Sequence, residues 1–255
     1  MNPWLQHPRP LTLSHRGHSI AYPENTMAAF RAAIEAGVDA IESDVHLTAD
    51  GQLVMLHDET LDRTTNGRGP VIERTLDEVL TLDAWGRFGE RFRGERVPTL
   101  DQLLDLAAEA GIFCIIEVKG GDHEESLAIA HATAERLAAR GELERHLVSS
   151  FDQVALGVIH ERYPTLDVAP DRLPEVGYLP PQAVVAQAQA IGARVMQVLH
   201  TEISQELVEA HHAADIALWS WTINTDVEIA ASKALGCDGL MGDDADALVR
   251  AVAPG

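Results

Sequence analysis

The chain has 255 residues, of which 46% are hydrophobic, 23% charged and 5% aromatic, an ordinary globular composition that excludes a disordered, collagen-like or coiled-coil chain. Nineteen Lys and Arg face forty Asp and Glu, a formal charge of -21. Stable association with nucleic acid or an anionic membrane surface is therefore not expected, and any phosphate-bearing ligand needs a local cation to reverse the sign.

Short β-rich runs alternate with stretches of helical period along almost the whole chain. Strands are expected at Leu11 to His15, Ala40 to Leu47, Ile112 to Lys119, His146 to Phe151, Leu166 to Ala169, Arg194 to Leu199, Ile216 to Ile223 and Gly239 to Met241. Helical patterns lie between and after them, at Thr26 to Ala36, Leu100 to Ala110, Glu124 to Ala139, Gln153 to Tyr163, Pro181 to Ile191, Ser204 to Ala213, Asp226 to Leu235 and Ala245 to Val252. Eight strands with their helices in about 250 residues fit an α/β fold of one domain, a (β/α)8 TIM barrel; a doubly wound sheet shares the alternation. Residues 48–99 break it and read as a small insertion after strand 2. The insertion opens on the hairpin signal Ala49-Asp50-Gly51, so Gln52 to His57 is expected to return as a short strand over the barrel mouth. Cys114 and Cys237 lie in apolar runs far apart and read as reduced thiols. The stretch from Met1 to His15 lacks the basic and apolar regions of a secretory leader, and no run reaches the roughly 18 apolar residues of a transmembrane helix, so a cytoplasmic location is expected.

Polar residues at the C-terminal ends of barrel strands are read as functional first. Strand 1 ends in Ser14-His15-Arg16-Gly17, strand 2 carries Glu42 and Asp44, the hairpin ends in His57-Asp58, and strand 3 carries Glu117 and Lys119. Residues at i and i+2 share a strand face, so Glu42 pairs with Asp44 and Glu117 with Lys119. Three converging carboxylates need a cation, and an all-oxygen set suits Mg²⁺ or Ca²⁺ better than zinc. Arg16 and Lys119 add positive charge to hold a phosphate. His15 and His57 are the natural proton carriers for cleaving a phosphodiester, with the assignment of acid and base open. Asn25 also reads as a cap for the helix starting near Thr26. The tryptophans of strand 7, Trp219 and Trp221, alternate along the strand as packing aromatics more often do than substrate contacts, with Trp221 open to either reading. His7, His123, His131, His160, His211 and His212 are expected to be surface or core residues without a catalytic part.

HRGHSIAYPENTMAAFRAAIEAGVDAIESDVHLTADGQLVMLHD, followed by IIEVK and WSWTIN, resembles the glycerophosphodiester phosphodiesterase family of the bacterial cytoplasmic type, over roughly residues 13 to 244. Five short motifs occur in the family's order: histidine-arginine-glycine, proline-glutamate-asparagine-threonine, glutamate-x-aspartate, histidine-aspartate and glutamate-x-lysine. The resemblance implies a (β/α)8 barrel capped by the insertion, with His15 and His57 catalytic, Glu42, Asp44 and Glu117 binding one divalent metal ion, and Arg16 and Lys119 holding phosphate. Glu24 and Asn25 would brace the site, and Gln197 and Trp221 are expected to touch the glycerol or close the pocket. The implied reaction hydrolyses a small-molecule glycerophosphodiester to sn-glycerol 3-phosphate and an alcohol by way of a cyclic phosphate. One departure stands out: Gly242-Asp243-Asp244-Ala245 replaces the threonine-aspartate-aromatic-proline pattern of many relatives, which puts that loop's substrate contacts in doubt. Two other readings remain at this stage: a lysophospholipase D-like hydrolase of acylated substrates, and a non-catalytic phosphodiester-binding barrel.

Overall fold

In the strands, side chains point alternately into the barrel and out toward the helices, and this period of two builds the architecture. The computed structural model describes residues 2–85, 88–174 and 177–253. The strands are β1 (Leu11–His15), β2 (Ala40–Leu47), β3 (Leu53–Met55), β4 (Phe113–Val118), β5 (Leu147–Ser150), β6 (Asp167–Pro170), β7 (Val195–Leu199), β8 (Ala217–Trp221) and β9 (Gly239–Gly242). The helices are α1 (Met27–Ala36), α2 (Leu76–Leu80), α3 (Leu100–Ala110), α4 (His123–Arg140), α5 (Gln153–Arg162), α6 (Pro181–Ala190), α7 (Gln205–Ala213), α8 (Asp226–Leu235) and α9 (Ala245–Val252). Every expected strand and helix is present within a residue or two at each end.

The sheet runs β6-β5-β4-β2-β1-β9-β8-β7, all parallel, and a parallel bridge between Asp171 and Gln197 joins its two ends. This is the (β/α)8 barrel, and the doubly wound alternative is excluded by the closing bridge. Its larger core lies outside the ring, where Ile41, Val45, Ile116, Val148, Val168 and Leu218 pack against the helices. The inner core holds Leu13, Ala40, Ile115, Leu147, Val195 and Trp219, and Trp4 plugs the bottom, its ring Nε1 donating to Asp167 at 2.9 Å. Trp219 is thus fully buried packing.

Within the insertion, β3 pairs antiparallel with β2 through Val45–Met55, His46–Val54 and Leu47–Leu53, as the hairpin signal indicates. A satellite core of Val54, Leu56, Leu61, Val71, Val79 and Val97 holds the excursion together. Gly86 and Arg87, within its Arg- and Gly-rich stretch, lie outside the described residues, as do Glu175 and Val176 in the proline-rich loop after β6. Cys114 and Cys237 are free and buried. Among the described residues no helix is long and apolar enough to cross a membrane.

Candidate active site

The inward positions of each strand change from apolar to polar on going toward the C-terminal end. Leu13 is followed by His15, Ala40 by Glu42 and Asp44, and Ile115 by Glu117 and Lys119, while Leu147 leads to Ser149, Val195 to Gln197 and Met241 to Asp243. The polar ends share one layer because the strands are in register: His15 lies beside Glu42, Asp44 beside Glu117, and Glu117 beside Ser149.

The turn after β1 is tightly specified. Arg16 has a φ of 57° and Gly17 of 79°, and the Arg16 amide donates to the Glu42 carbonyl at 2.9 Å and to Glu42 Oε2 at 3.2 Å. A Cβ on Gly17 would lie 2.7 Å from the Ala29 carbonyl carbon, so glycine is required both for the backbone angle and for the approach of α1. Asn25, also left-handed at φ 55°, does not cap α1. Thr26 does so, accepting from the Ala29 amide, while Asn25 Nδ2 donates to Asp44 Oδ2 at 2.8 Å and Asn25 Oδ1 accepts from Ser43 at 2.7 Å. Asn25 is therefore spent on fixing the Asp44 carboxylate. Glu24 accepts from Arg16 at 2.9 Å and from Arg63 of the insertion at 2.7 Å.

Glu42, Asp44 and Glu117 are buried, and one oxygen from each falls within 4.8 Å of the other two. Glu42 Oε1 and Asp44 Oδ1 have no hydrogen-bond partner among the described residues. Lys119 Nζ lies 2.5 Å from Glu117 Oε1 and 3.3 Å from Asp44 Oδ1, and Arg16 Nε 3.2 Å from Asp44 Oδ2. Burial, with Asp44 and Glu117 adding to it, pushes the Glu42 carboxyl well above the usual carboxylate range, and burial also raises Glu117 despite Lys119. For Asp44 burial is outweighed by Arg16 and Lys119, which hold its carboxyl low. Burial likewise opposes the charge on Arg16 and Lys119, yet the carboxylates keep both above their ordinary values. Orphaned carboxylate oxygens in a convergent all-oxygen set fit a hard divalent cation.

Each histidine is oriented by a carboxylate. His15 Nδ1 lies 2.6 Å from Asp243 Oδ1, and Asp243 also accepts from Ser19 at 3.1 Å and Asn224 at 2.8 Å. Burial works against the Asp243 charge, but these donors hold its carboxyl below the ordinary range. His57 Nδ1 lies 2.8 Å from Asp58 Oδ1, and Asp58 is gripped by Arg63 Nε at 2.7 Å, which depresses its carboxyl strongly. With Nδ1 donating to a carboxylate, Nε2 is the nitrogen left to take or give a proton. Burial lowers His57, and Arg16 and Lys119 reinforce this against Asp44 and Asp58.

His15, Arg16, Glu42, His57, Glu117 and Lys119 line one cavity of about 170 Å³, and Gln197 and Trp221 complete it from β7 and β8. Asp44, Glu24 and Asn25 stand behind its wall. Ser149, Asp171 and Asp243 were not singled out by motif, although counting alternate residues along β5, β6 and β9 reaches all three. The departure at residues 242–245 thus still supplies a carboxylate, Asp243, that orients the His15 ring.

Residues 15–247 match the model of the glycerophosphoryl diester phosphodiesterase family. A glycerophosphodiester phosphodiesterase from Caldanaerobacter subterraneus subsp. tengcongensis is 37% identical over 252 residues, covering 96% of this chain and 98% of the relative. Among solved structures, a glycerophosphodiester phosphodiesterase from Agrobacterium tumefaciens superposes with a TM-score of 0.79 at 27% identity, covering 94% of this chain and 99% of the other. A phosphodiesterase from Oleispira antarctica, in complex with the product sn-glycerol-3-phosphate, superposes with a TM-score of 0.84 at 25% identity, over 95% of this chain and 96% of that one. With its barrel, its site and these likenesses in agreement, the chain belongs to the glycerophosphoryl diester phosphodiesterase family and is an enzyme of that class.

Proposed function

We propose that the enzyme is metal-dependent and hydrolyses deacylated glycerophosphodiesters to sn-glycerol 3-phosphate and an alcohol, with His15 and His57 as proton carriers. The observation that carries this reading is a single small cavity lined by two carboxylate-oriented histidines, an acidic cluster and two fixed cations. Glu42, Asp44 and Glu117 would hold a divalent ion, Mg²⁺ or Ca²⁺, which when bound offsets their charge and lowers the pKa of an attached hydroxyl. His57, whose burial and cationic neighbours oppose protonation, accepts the proton of the glycerol 2-hydroxyl as that oxygen attacks phosphorus. The bond from phosphorus to the alcohol breaks, and His15, held by Asp243, gives the leaving oxygen its proton. Arg16 and Lys119 offset charge on the phosphoryl oxygens. Water then opens the cyclic phosphate with the histidine roles exchanged, giving sn-glycerol 3-phosphate.

The cavity is smaller than the roughly 300–1,000 Å³ of pockets for drug-sized ligands, which favours a small ester over an acylated lipid. The paired orienting carboxylates favour a catalyst over a binding barrel. Acidic surface charge supports a substrate free in the cytoplasm over one in an anionic membrane. Incubation with diesters of choline, ethanolamine, glycerol and inositol tests the reading. Release of sn-glycerol 3-phosphate is expected, whereas normal turnover of an analogue lacking the 2-hydroxyl would remove the internal attack.

A further inference from the structure

The two halves of the cavity differ in how their polar groups are satisfied. On β1, β2 and β4 the charged side chains are held in the ion pairs and hydrogen bonds already described, and the carboxylate oxygens left over on Glu42 and Asp44 face the candidate cation site. On β5 to β8 they are not. Ser149 is 1% exposed and its Oγ has no hydrogen-bond partner among the described residues; Gln197 is 1% exposed and its Oε1 has none. Trp221 Nε1 is likewise buried and has no hydrogen-bond partner among the described residues. The Asp171 carboxyl, 5% exposed, has among the described residues only a long contact from Gln197 Nε2 at 3.4 Å. All four residues line the cavity, and the Asp171–Gln197 bridge places two of them side by side at the seam of the barrel. Buried polar groups are normally paired, and leaving several unpaired in one wall is costly. Such a wall is complementary to a ligand that brings both donors and acceptors.

We propose that Ser149, Asp171, Gln197 and Trp221 form a hydroxyl-reading wall that binds the free primary hydroxyl of the glycerol moiety, and that Asp171 and Gln197 set the preference for deacylated substrates. The inference rests on the function proposed above and names the part of the substrate this wall reads. The primary hydroxyl supplies one donor, suited to Gln197 Oε1, and accepts from Ser149 or Trp221. The Asp171 carboxyl, beside Gln197 at the seam, offers a further polar contact. An ester at that oxygen removes the donor and adds bulk, which leaves Gln197 Oε1 unpaired and rejects the acylated diester.

The test compares kcat/KM for a glycerophosphodiester and its 1-deoxy analogue, which keeps the attacking 2-hydroxyl, in the wild type, Asp171→Leu, Asp171→Asn and Gln197→Met. A site built to bond a hydroxyl discriminates strongly against its absence, so the wild type is expected to prefer the full substrate by about 10²-fold or more. Asp171→Leu and Gln197→Met are expected to shrink that ratio to about fivefold or less, and Asp171→Asn to retain most of it. Should Asp171→Leu fail to fold, Asp171→Asn and Gln197→Met give the ratio independently. A wild-type ratio near one, or a ratio unchanged in both apolar variants, overturns the hydroxyl-reading wall while sn-glycerol 3-phosphate release still stands. No release from any diester overturns both.

Discussion

His15 and His57 sit on segments far apart in the chain, yet each presents Nδ1 to a carboxylate that is itself held by further donors. Asp243 reaches His15 from the loop after β9 and is fixed by Ser19 and Asn224, so in the proposed mechanism it acts through the tautomer and orientation of the ring. Asp243→Asn is expected to lower kcat by about 10²-fold or more with KM little changed, as steady-state kinetics would show. An unchanged kcat would remove Asp243 from the mechanism. Most of the site residues were legible because short motifs carry them and strand parity aligns them. Asp243 was less so, since the surrounding residues depart from the expected pattern and its partner is 228 positions away. Asn25 carried two readings, a brace for the site and a cap for α1, because a helix start and a buried carboxylate make the same demand for a small polar side chain; its bond to Asp44 and the cap by Thr26 separate them. Ser149 and Asp171 lacked a motif altogether; their signal was position alone.

At the scale of elements, strands and helices were legible where local signals agree. Thr99 and Thr225 close capping boxes on α3 and α8, and Gly111 and Gly236 end those helices in the left-handed region, as expected of such residues. The insertion was only partly legible, because its short helix and turns depend on the satellite core around Val54, Leu61 and Val79 and not on periodicity. The turn after β1 is where local structure and site meet. Gly17→Ala places a side chain at φ 79° against the Ala29 backbone, and a destabilisation of about 2 kcal/mol or more is expected from denaturant unfolding. An Ala variant as stable as the wild type would mean that α1 moves freely relative to β1.

Across the whole molecule, the strand count and its spacing made the barrel legible, whereas its closure at Asp171–Gln197 is a tertiary fact. Stability at low pH has an identifiable contributor in the outer layer. His146 is 1% exposed, its Nδ1 accepts from the Cys114 amide at 3.0 Å, and its Nε2 has no hydrogen-bond partner among the described residues. Burial lowers it from its ordinary 6.5 to about 4. The unfolded chain then binds the proton first, so the stability from a neutral His146 is complete above about pH 6.5 and is lost as pH falls toward 4. The gap of about 2.5 pH units corresponds to about 3 kcal/mol, as an order of magnitude. Unfolding free energies of the wild type and His146→Asn, measured between pH 7 and 4, should therefore converge as pH falls. Parallel curves would show that His146 does not titrate in that window.

The most direct single measurement is sn-glycerol 3-phosphate release by wild type and His57→Ala after chelation, with Mg²⁺ and Ca²⁺ added back separately and metal binding followed by calorimetry in parallel. The expected result is chelator-sensitive release by the wild type that one of the two ions restores, and metal binding without release by His57→Ala. Full wild-type activity in the presence of chelator, or undiminished release by His57→Ala, would contradict the metal-assisted two-histidine mechanism.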